Sequence, residues 1–181
     1  MYRGKLDTVT QSISFSNFTK EFDSSMNVSR SETVVDFKKV KSNSKWGVIP
    51  YRLLDSGKIE VLIISTRRKN WSLPKGNLIK NIGPQRTALL EAYEEAGIDG
   101  VLQPNPILCS IGRTCIYFFP MEVTKVYPDW PEADCRNRKW IQITKARDML
   151  HHRSMGKILT KFFSHKNWFS LCLNASYFYK K

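Results

Sequence analysis

The chain has 181 residues, 41% of them hydrophobic, which suffices for one core and leaves room for extra segments. No stretch approaches the roughly 18–20 uncharged apolar residues of a membrane-spanning helix, and the start, Met1-Tyr2-Arg3-Gly4-Lys5, leads into polar residues, so a cytoplasmic protein without a membrane partner is expected. The net charge of +13 suits a polyanionic partner without naming it, and it is concentrated at the C-terminal end, where residues 144–181 carry eight basic side chains against one acidic.

Residues 1–44 are rich in Ser, Thr, Asn and Lys and read as a polar extension, with Thr33 to Phe37 a possible short strand. From Trp46 the texture changes. Trp46 to Arg52 and Ile59 to Ser65 are β-branched and aromatic runs flanking Asp55-Ser56-Gly57-Lys58, which is the pattern of a hairpin. Trp71-Ser72-Leu73-Pro74-Lys75-Gly76 follows as an extended piece ending in a loop. Gln85 to Ala96 then offers good helix formers between Pro84, suited to the first helical turn, and Gly97, suited to a left-handed stop.

Pro106 to Ile111 and Thr114 to Phe119, the latter continuing through Met121 to Val126, read as strands turning near Gly112-Arg113, with Pro120 expected at a bulge or an unpaired edge position. Arg138 to Ile143 is a last strand. Thr144 is expected to cap a helix whose Ala146, Met149 and Leu150 share a face, and a second helical piece runs from Met155 to Phe163. Such an order argues for a mixed sheet with helices packed on it rather than a regular parallel array. The domain is drawn at 45–165, followed by a basic, aromatic tail, 166–181. Cys109, Cys115, Cys135 and Cys172 form no C-x-x-C pair and are expected to be buried, reduced thiols, and His151-His152 has the wrong spacing for zinc.

The chemistry gathers in Leu89-Leu90-Glu91-Ala92-Tyr93-Glu94-Glu95-Ala96-Gly97-Ile98. At about 100° per residue Glu91, Glu94 and Glu95 fall on one side of a helix, and Leu89, Ala92 and Ala96 can face a sheet. Three carboxylates in the last two turns repel one another and oppose the helix dipole. Two readings stay open: a solvated acidic face, or hard oxygen ligands for a divalent cation such as Mg²⁺.

Gly76 to Ile98 resembles the Nudix box, G-x5-E-x7-R-E-U-x-E-E-x-G-U with U a bulky apolar residue: Gly76, Glu91, Glu94, Glu95, Gly97 and Ile98 match, and Ala92 fills the remaining U. Ile82 stands where the box has Glu and Leu90 where it has Arg. The likeness continues through Leu73-Pro74-Lys75-Gly76, Asp129-Trp130-Pro131-Glu132 and Arg138-Lys139-Trp140, which look like the diphosphoinositol and diadenosine polyphosphate phosphohydrolase branch. It implies an α/β (α+β) fold, an α/β/α sandwich with a mixed sheet, in a magnesium-dependent pyrophosphatase cleaving a phosphoanhydride in a nucleotide or inositol polyphosphate. It further implies catalytic Glu91, Glu94 and Glu95, the same three with the Gly76 backbone as metal ligands for Mg²⁺ (Mn²⁺ as substitute), and Glu91 or a residue outside the box as general base. Arg52, Arg67, Lys75 and Arg138 are the expected phosphate-binding residues, with Lys45, Arg68, Lys69, Arg113 and Lys139 as further basic candidates at strand ends and loops. Since the family's Arg orients the glutamates, Leu90 also leaves room for a Nudix-fold protein that binds a polyphosphate without cleaving it. A nucleic-acid binder is the third reading, motivated by charge and tail. Tyr51, Trp71, Tyr117 and Trp130 are the aromatic residues a base could stack on.

Overall fold

The computed structural model describes residues 44–164, so the polar extension, the Thr33 to Phe37 strand, Cys172 and the aromatic tail lie outside the described residues. Eight strands make one sheet: β1 (Lys45–Leu53), β2 (Ile59–Ser65), β3 (Trp71–Ser72), β4 (Lys75–Asn77), β5 (Ile98–Leu102), β6 (Ile107–Ile111), β7 (Thr114–Val126) and β8 (Arg138–Gln142). Three helices complete the described part: α1 (Gly83–Ala96), α2 (Ile143–Met149) and α3 (Arg153–Phe162). β1 and β7 pair in parallel and all other pairs are antiparallel, giving the mixed sheet expected.

The central hairpin closes through Leu54 N–H to Lys58 O at 2.8 Å, and Gly57 takes the left-handed φ of 72° that the turn needs. β8 lies along one edge of β2, from Glu60 to Ile64, so β1 and β3 must share the other. β1 likewise divides one edge, with Lys45–Gly47 pairing β4 and Tyr51–Leu53 pairing β2. The chain from β3 to β4 therefore enters a fork between β1 and β2, anchored by fully buried Leu73 and by Val48 N–H to Pro74 O at 3.1 Å. Gly47 is needed there because a Cβ would strike the Pro74 carbonyl and the Lys75 backbone.

Both faces of the sheet are covered. Ile49, Tyr51, Val61, Ile63, Ile116 and Phe118 form one core with Ala146, Met155, Ile158, Leu159 and Phe162 of α2 and α3. The alternating residues Trp46, Val48, Leu62, Ile64, Phe119 and Met121 are buried on the face where α1 packs. Burial on both sides explains why Val61 to Ile64 is an unbroken apolar run. The result is an α/β/α sandwich.

Several local expectations change. β5 follows Gly97 directly, in a stretch for which the sequence pattern predicts no element, with its register shift at Asp99/Gly100, where a Cβ would meet the Glu122 backbone. β7 is one central strand, so Pro120 is neither at an edge nor at a bulge. Its carbonyl accepts from Gln103 N–H at 2.8 Å, placing its nitrogen on the same side, in the gap between β6, which pairs β7 as far as Phe118, and β5, which pairs from Met121. Lys75-Gly76 begins a strand rather than a loop. Gln142, not Thr144, is the N-cap of α2, and no side chain caps that helix. Of the described thiols only Cys109 is buried; Cys115 is half-buried and Cys135 exposed, and all three are free.

Gly97 ends α1 with φ 61° and ψ 44°, its N–H bonding Ala92 and Tyr93 carbonyls. A Cβ there would lie 2.6 Å from Arg138 Nη1 and 2.8 Å from the Trp130 side chain. Gly97→Ala should lower unfolding stability by about 1–2 kcal/mol from the backbone alone, and further from the clash. Urea unfolding that matches the parent would show that the left-handed stop is dispensable.

Candidate active site

α1 starts without a side-chain cap at Ile82; Thr87 does the tethering, accepting Ile79 N–H at 3.1 Å and donating to Gly83 O at 2.7 Å. Along the helix Ala88, Leu89, Ala92 and Ala96 share one side and are buried, and Leu90, on another side, is buried too. Glu95 is buried as well, with 8% of its surface exposed, which sets aside the solvated acidic face at this position. Its Oε2 accepts the Lys75 N–H at 2.8 Å, so the fork that carries β4 supplies the donor. Glu91 points at the neighbouring residue of the same strand: a Cβ on Gly76 would fall on its carboxylate. Gly76 is thus the residue that lets a helix carboxylate lie against strand backbone.

The β7–β8 loop contributes two residues whose role the sequence does not announce. Arg136 N–H bonds Glu132 O at 3.0 Å in a helical turn, which brings the two side chains together. Arg136 then uses its whole guanidinium: Nε donates to Glu132, Nη2 to Glu95, and Nη1 to Ser65 O at 3.1 Å. Arg67, largely exposed, approaches the other oxygen of Glu132 at 3.5 Å. Glu132 and Arg136 carry no periodicity; an i,i+4 acid–base pair in a loop beside a glutamate helix is the faint signal that points to them.

Of the phosphate-binding candidates, Lys75 and Arg67 sit at the glutamate cluster, and Lys45, one of the further candidates, is close enough to Lys75 to act on its charge. Arg138 has another occupation. Its Nη1 donates to Ala96 O and Gly97 O at 2.7 and 3.0 Å, its Nη2 to Tyr127 O at 2.6 Å, and it stacks 4.0 Å over Trp130. It therefore answers the negative end of α1. Arg52 pairs with Glu60 at 2.6 Å and stacks 4.3 Å from Trp140, five residues along β1 from Gly47 and so roughly 17 Å from the Lys75 register. Among the aromatics, Tyr51 packs in the core against Phe162 and Phe163, and Tyr117 stacks on Trp46.

Burial pushes the Glu91 carboxyl up from 4.5 to about 7, with Glu95, Glu94 and Glu132 adding repulsion. Glu94 is raised by burial and then by Glu132 and Glu95. Burial raises Glu95 too, against the Lys75 amide and Arg136, which favour its ionised form. Burial also lowers Lys75, opposed by Glu95. Three carboxylates whose ionisation burial disfavours, with the charge of Glu132 beside them, are hard oxygen donors of the kind a divalent cation takes. Among the described residues no three acidic, His or Cys side chains converge as they stand on one point for an ion, Glu95 being turned to Lys75 and Arg136.

No family model matches the chain. Nudix hydrolase 12, mitochondrial, of Arabidopsis thaliana is 30% identical over 165 residues, covering 76% of this chain and 81% of that protein. The chain belongs to the Nudix hydrolase family. Mouse diphosphoinositol polyphosphate phosphohydrolase 3-alpha is 30% identical over 102 residues, 50% of this Nudix chain and 60% of the mouse protein. The fold matches the C. elegans Ap4A hydrolase binary complex with a TM-score of 0.54 at 23% identity, over 66% of this chain and 94% of that one. No described helix is long and apolar enough to cross a membrane, and the plant relative's name places that protein in mitochondria, so the cytoplasmic location expected from sequence finds no support here.

The raised Glu91 carboxyl has a consequence for stability. A carboxyl of folded-state pKa about 7 against 4.5 keeps its proton in the folded chain across that window, so its contribution falls as pH rises through it and is lost above 7. In chelator, the urea midpoint should drop between pH 5.5 and 8 more in the parent than in Glu91→Gln. Equal drops would remove Glu91 as the source.

Proposed function

We propose that this Nudix protein is a divalent-cation-dependent pyrophosphohydrolase that cleaves a phosphoanhydride in a nucleoside or inositol polyphosphate. The observation that carries the reading is a cluster of carboxylates in a chain of net charge +13: buried Glu95 and half-buried Glu91 lie against the β4 backbone, with half-buried Glu94 and Glu132 close enough to repel them. The mutual repulsion is a cost to the fold, whereas a bound cation turns the same charge into ligation.

Glu95 and Glu91 would be the principal ligands of Mg²⁺, with Glu94 completing the set and the Gly76 backbone beside them. When bound, Mg²⁺ would lower the pKa of the attacking water and neutralise charge on the leaving phosphate. Glu91 or Glu132 accepts the water's proton as the new P–O bond forms and the bridging P–O bond of the anhydride breaks. Lys75, Arg67 and Lys45 hold the flanking phosphates, and Arg138 supports the helix that carries the glutamates. The Asp129-Trp130-Pro131-Glu132 segment and the mouse relative's name favour substrates with several phosphates. A second reading, binding without cleavage, draws on Ile82 and Leu90, which lack the box's charges.

Diphosphoinositol polyphosphates, dinucleoside polyphosphates, nucleoside diphosphate sugars and capped RNA ends, each assayed for phosphate or nucleotide release with Mg²⁺, Mn²⁺ or chelator, give the test. At least one should be hydrolysed only with the cation, and Glu95→Gln should reduce that rate by roughly 100-fold or more while the fold persists. Binding of a polyphosphate with no release under any cation would overturn the hydrolase reading in favour of the second.

A further inference from the structure

From Ala88 to Gly97 the helix carries three glutamates and no basic residue. Leu90, at the position where the resembled box has Arg, is buried with 6% of its surface exposed. No cation on this part of the helix faces the carboxylates, yet one does so from elsewhere. Arg136 reaches in from the β7–β8 loop with a side chain only 10% exposed, against a Glu95 side chain 11% exposed.

We infer that Arg136 is the positioning residue for Glu95, holding from the loop a carboxylate whose own stretch of helix, Ala88 to Gly97, carries no basic side chain. The Ser65 carbonyl fixes one nitrogen of the guanidinium at 3.1 Å and Glu132 fixes another, so the third can meet Glu95 Oε1 in one orientation only. The other oxygen, Oε2, is fixed by Lys75 N–H at 2.8 Å. Both oxygens are thereby oriented, and each retains a lone pair for a ligand, since a carboxylate offers about four acceptor sites. Ser65 is itself held, its N–H donating to Asn137 O at 2.7 Å and its Oγ accepting Asn137 N–H at 2.8 Å. The anchor of the guanidinium is thus the end of β2, a fixed part of the sheet.

Positioning differs from ligation and from general support of the fold. A positive charge beside Glu95 opposes an incoming cation, so removing it leaves cation affinity equal or tighter while geometry is lost. The contribution to turnover rests on the hydrolase reading above; the pairing itself does not, and the experiment separates the two. Arg136→Met, Arg136→Lys, Glu95→Gln and the Arg136→Met/Glu95→Gln double variant are compared in the full chain by urea unfolding in chelator, by Mn²⁺ calorimetry, and by kcat and KM on whichever anhydride is cleaved. Arg136→Met should lower kcat about 10- to 100-fold with KM within about twofold, as loss of a residue supporting a ligand does. Mn²⁺ affinity should be unweakened, Arg136→Lys should recover part of kcat, and in chelator the double variant should unfold at no lower urea than Arg136→Met alone. Full kcat in Arg136→Met, a parallel loss of Mn²⁺ affinity, or additive shifts in the urea midpoints would overturn the assignment. If Arg136→Met does not fold, the same cycle run with Arg136→Lys, which keeps the charge but not the fork, decides by the same criteria. A parent chain that cleaves nothing would defeat the hydrolase reading, and the cycle in chelator would still decide whether Arg136 holds Glu95.

Discussion

A carboxylate buried at the C-terminal end of a helix works against two things at once, its own desolvation and the negative pole of the helix dipole. Glu95 is in that position, and the surrounding structure supplies what the position lacks. The Lys75 amide comes from a strand pushed into the fork between β1 and β2, and the Arg136 guanidinium from a loop anchored on Ser65. Each of these depends on a longer-range feature. The fork exists because Gly47 lets the Pro74 carbonyl approach, and the loop sits where it does because Trp130 and Arg138 pack around Gly97.

The two arginines of the β7–β8 region divide the electrostatic work. Arg138 donates to the carbonyls of Ala96, Gly97 and Tyr127, which answers the helix dipole, and Arg136 answers the carboxylates themselves. Neither can take the other's part, because each guanidinium is already bonded along its fork. A lysine, with one compact charge, would satisfy one acceptor well and leave the rest to chance. At Glu91 the charge of Lys75 lowers the carboxyl against burial and three acidic neighbours, and the raised pKa records that imbalance. The asymmetry distinguishes a Glu95 fixed by its partners from a Glu91 whose charge is left for a cation to stabilise.

Much of the frame was legible because it rests on local pattern. The first hairpin follows from two β-branched runs around a turn sequence, and α1 from helix formers bounded by Pro84 and Gly97. β5 was not legible: Ile98-Asp99-Gly100-Val101-Leu102 contains two poor strand formers and owes its pairing to β7 and to the close approach at Gly100. The glutamates could be named from spacing, but their partners could not, since Glu95 and Arg136 are 41 residues apart and only the closed fold brings them together. The positions of Arg52 and Arg138 show the same limit from the other side. A basic residue at a strand end reads alike whether it faces solvent, a helix terminus or Glu60, and registers alone decide which.

Moving the orienting cation from the helix to a loop changes what the site depends on. An arginine on the turn preceding the glutamates would move with them as a rigid unit, whereas Arg136 belongs to the segment that also carries Glu132 and, through it, touches Arg67 of the β2–β3 turn. The conformation of the β7–β8 loop then sets the orientation of Glu95, the charge beside Glu91 and the placement of a phosphate-binding arginine together. Leu90, buried in the place of a charge, fits this arrangement, because a second guanidinium on the helix would compete with Arg136 for the same oxygens and leave one of the two buried without a partner.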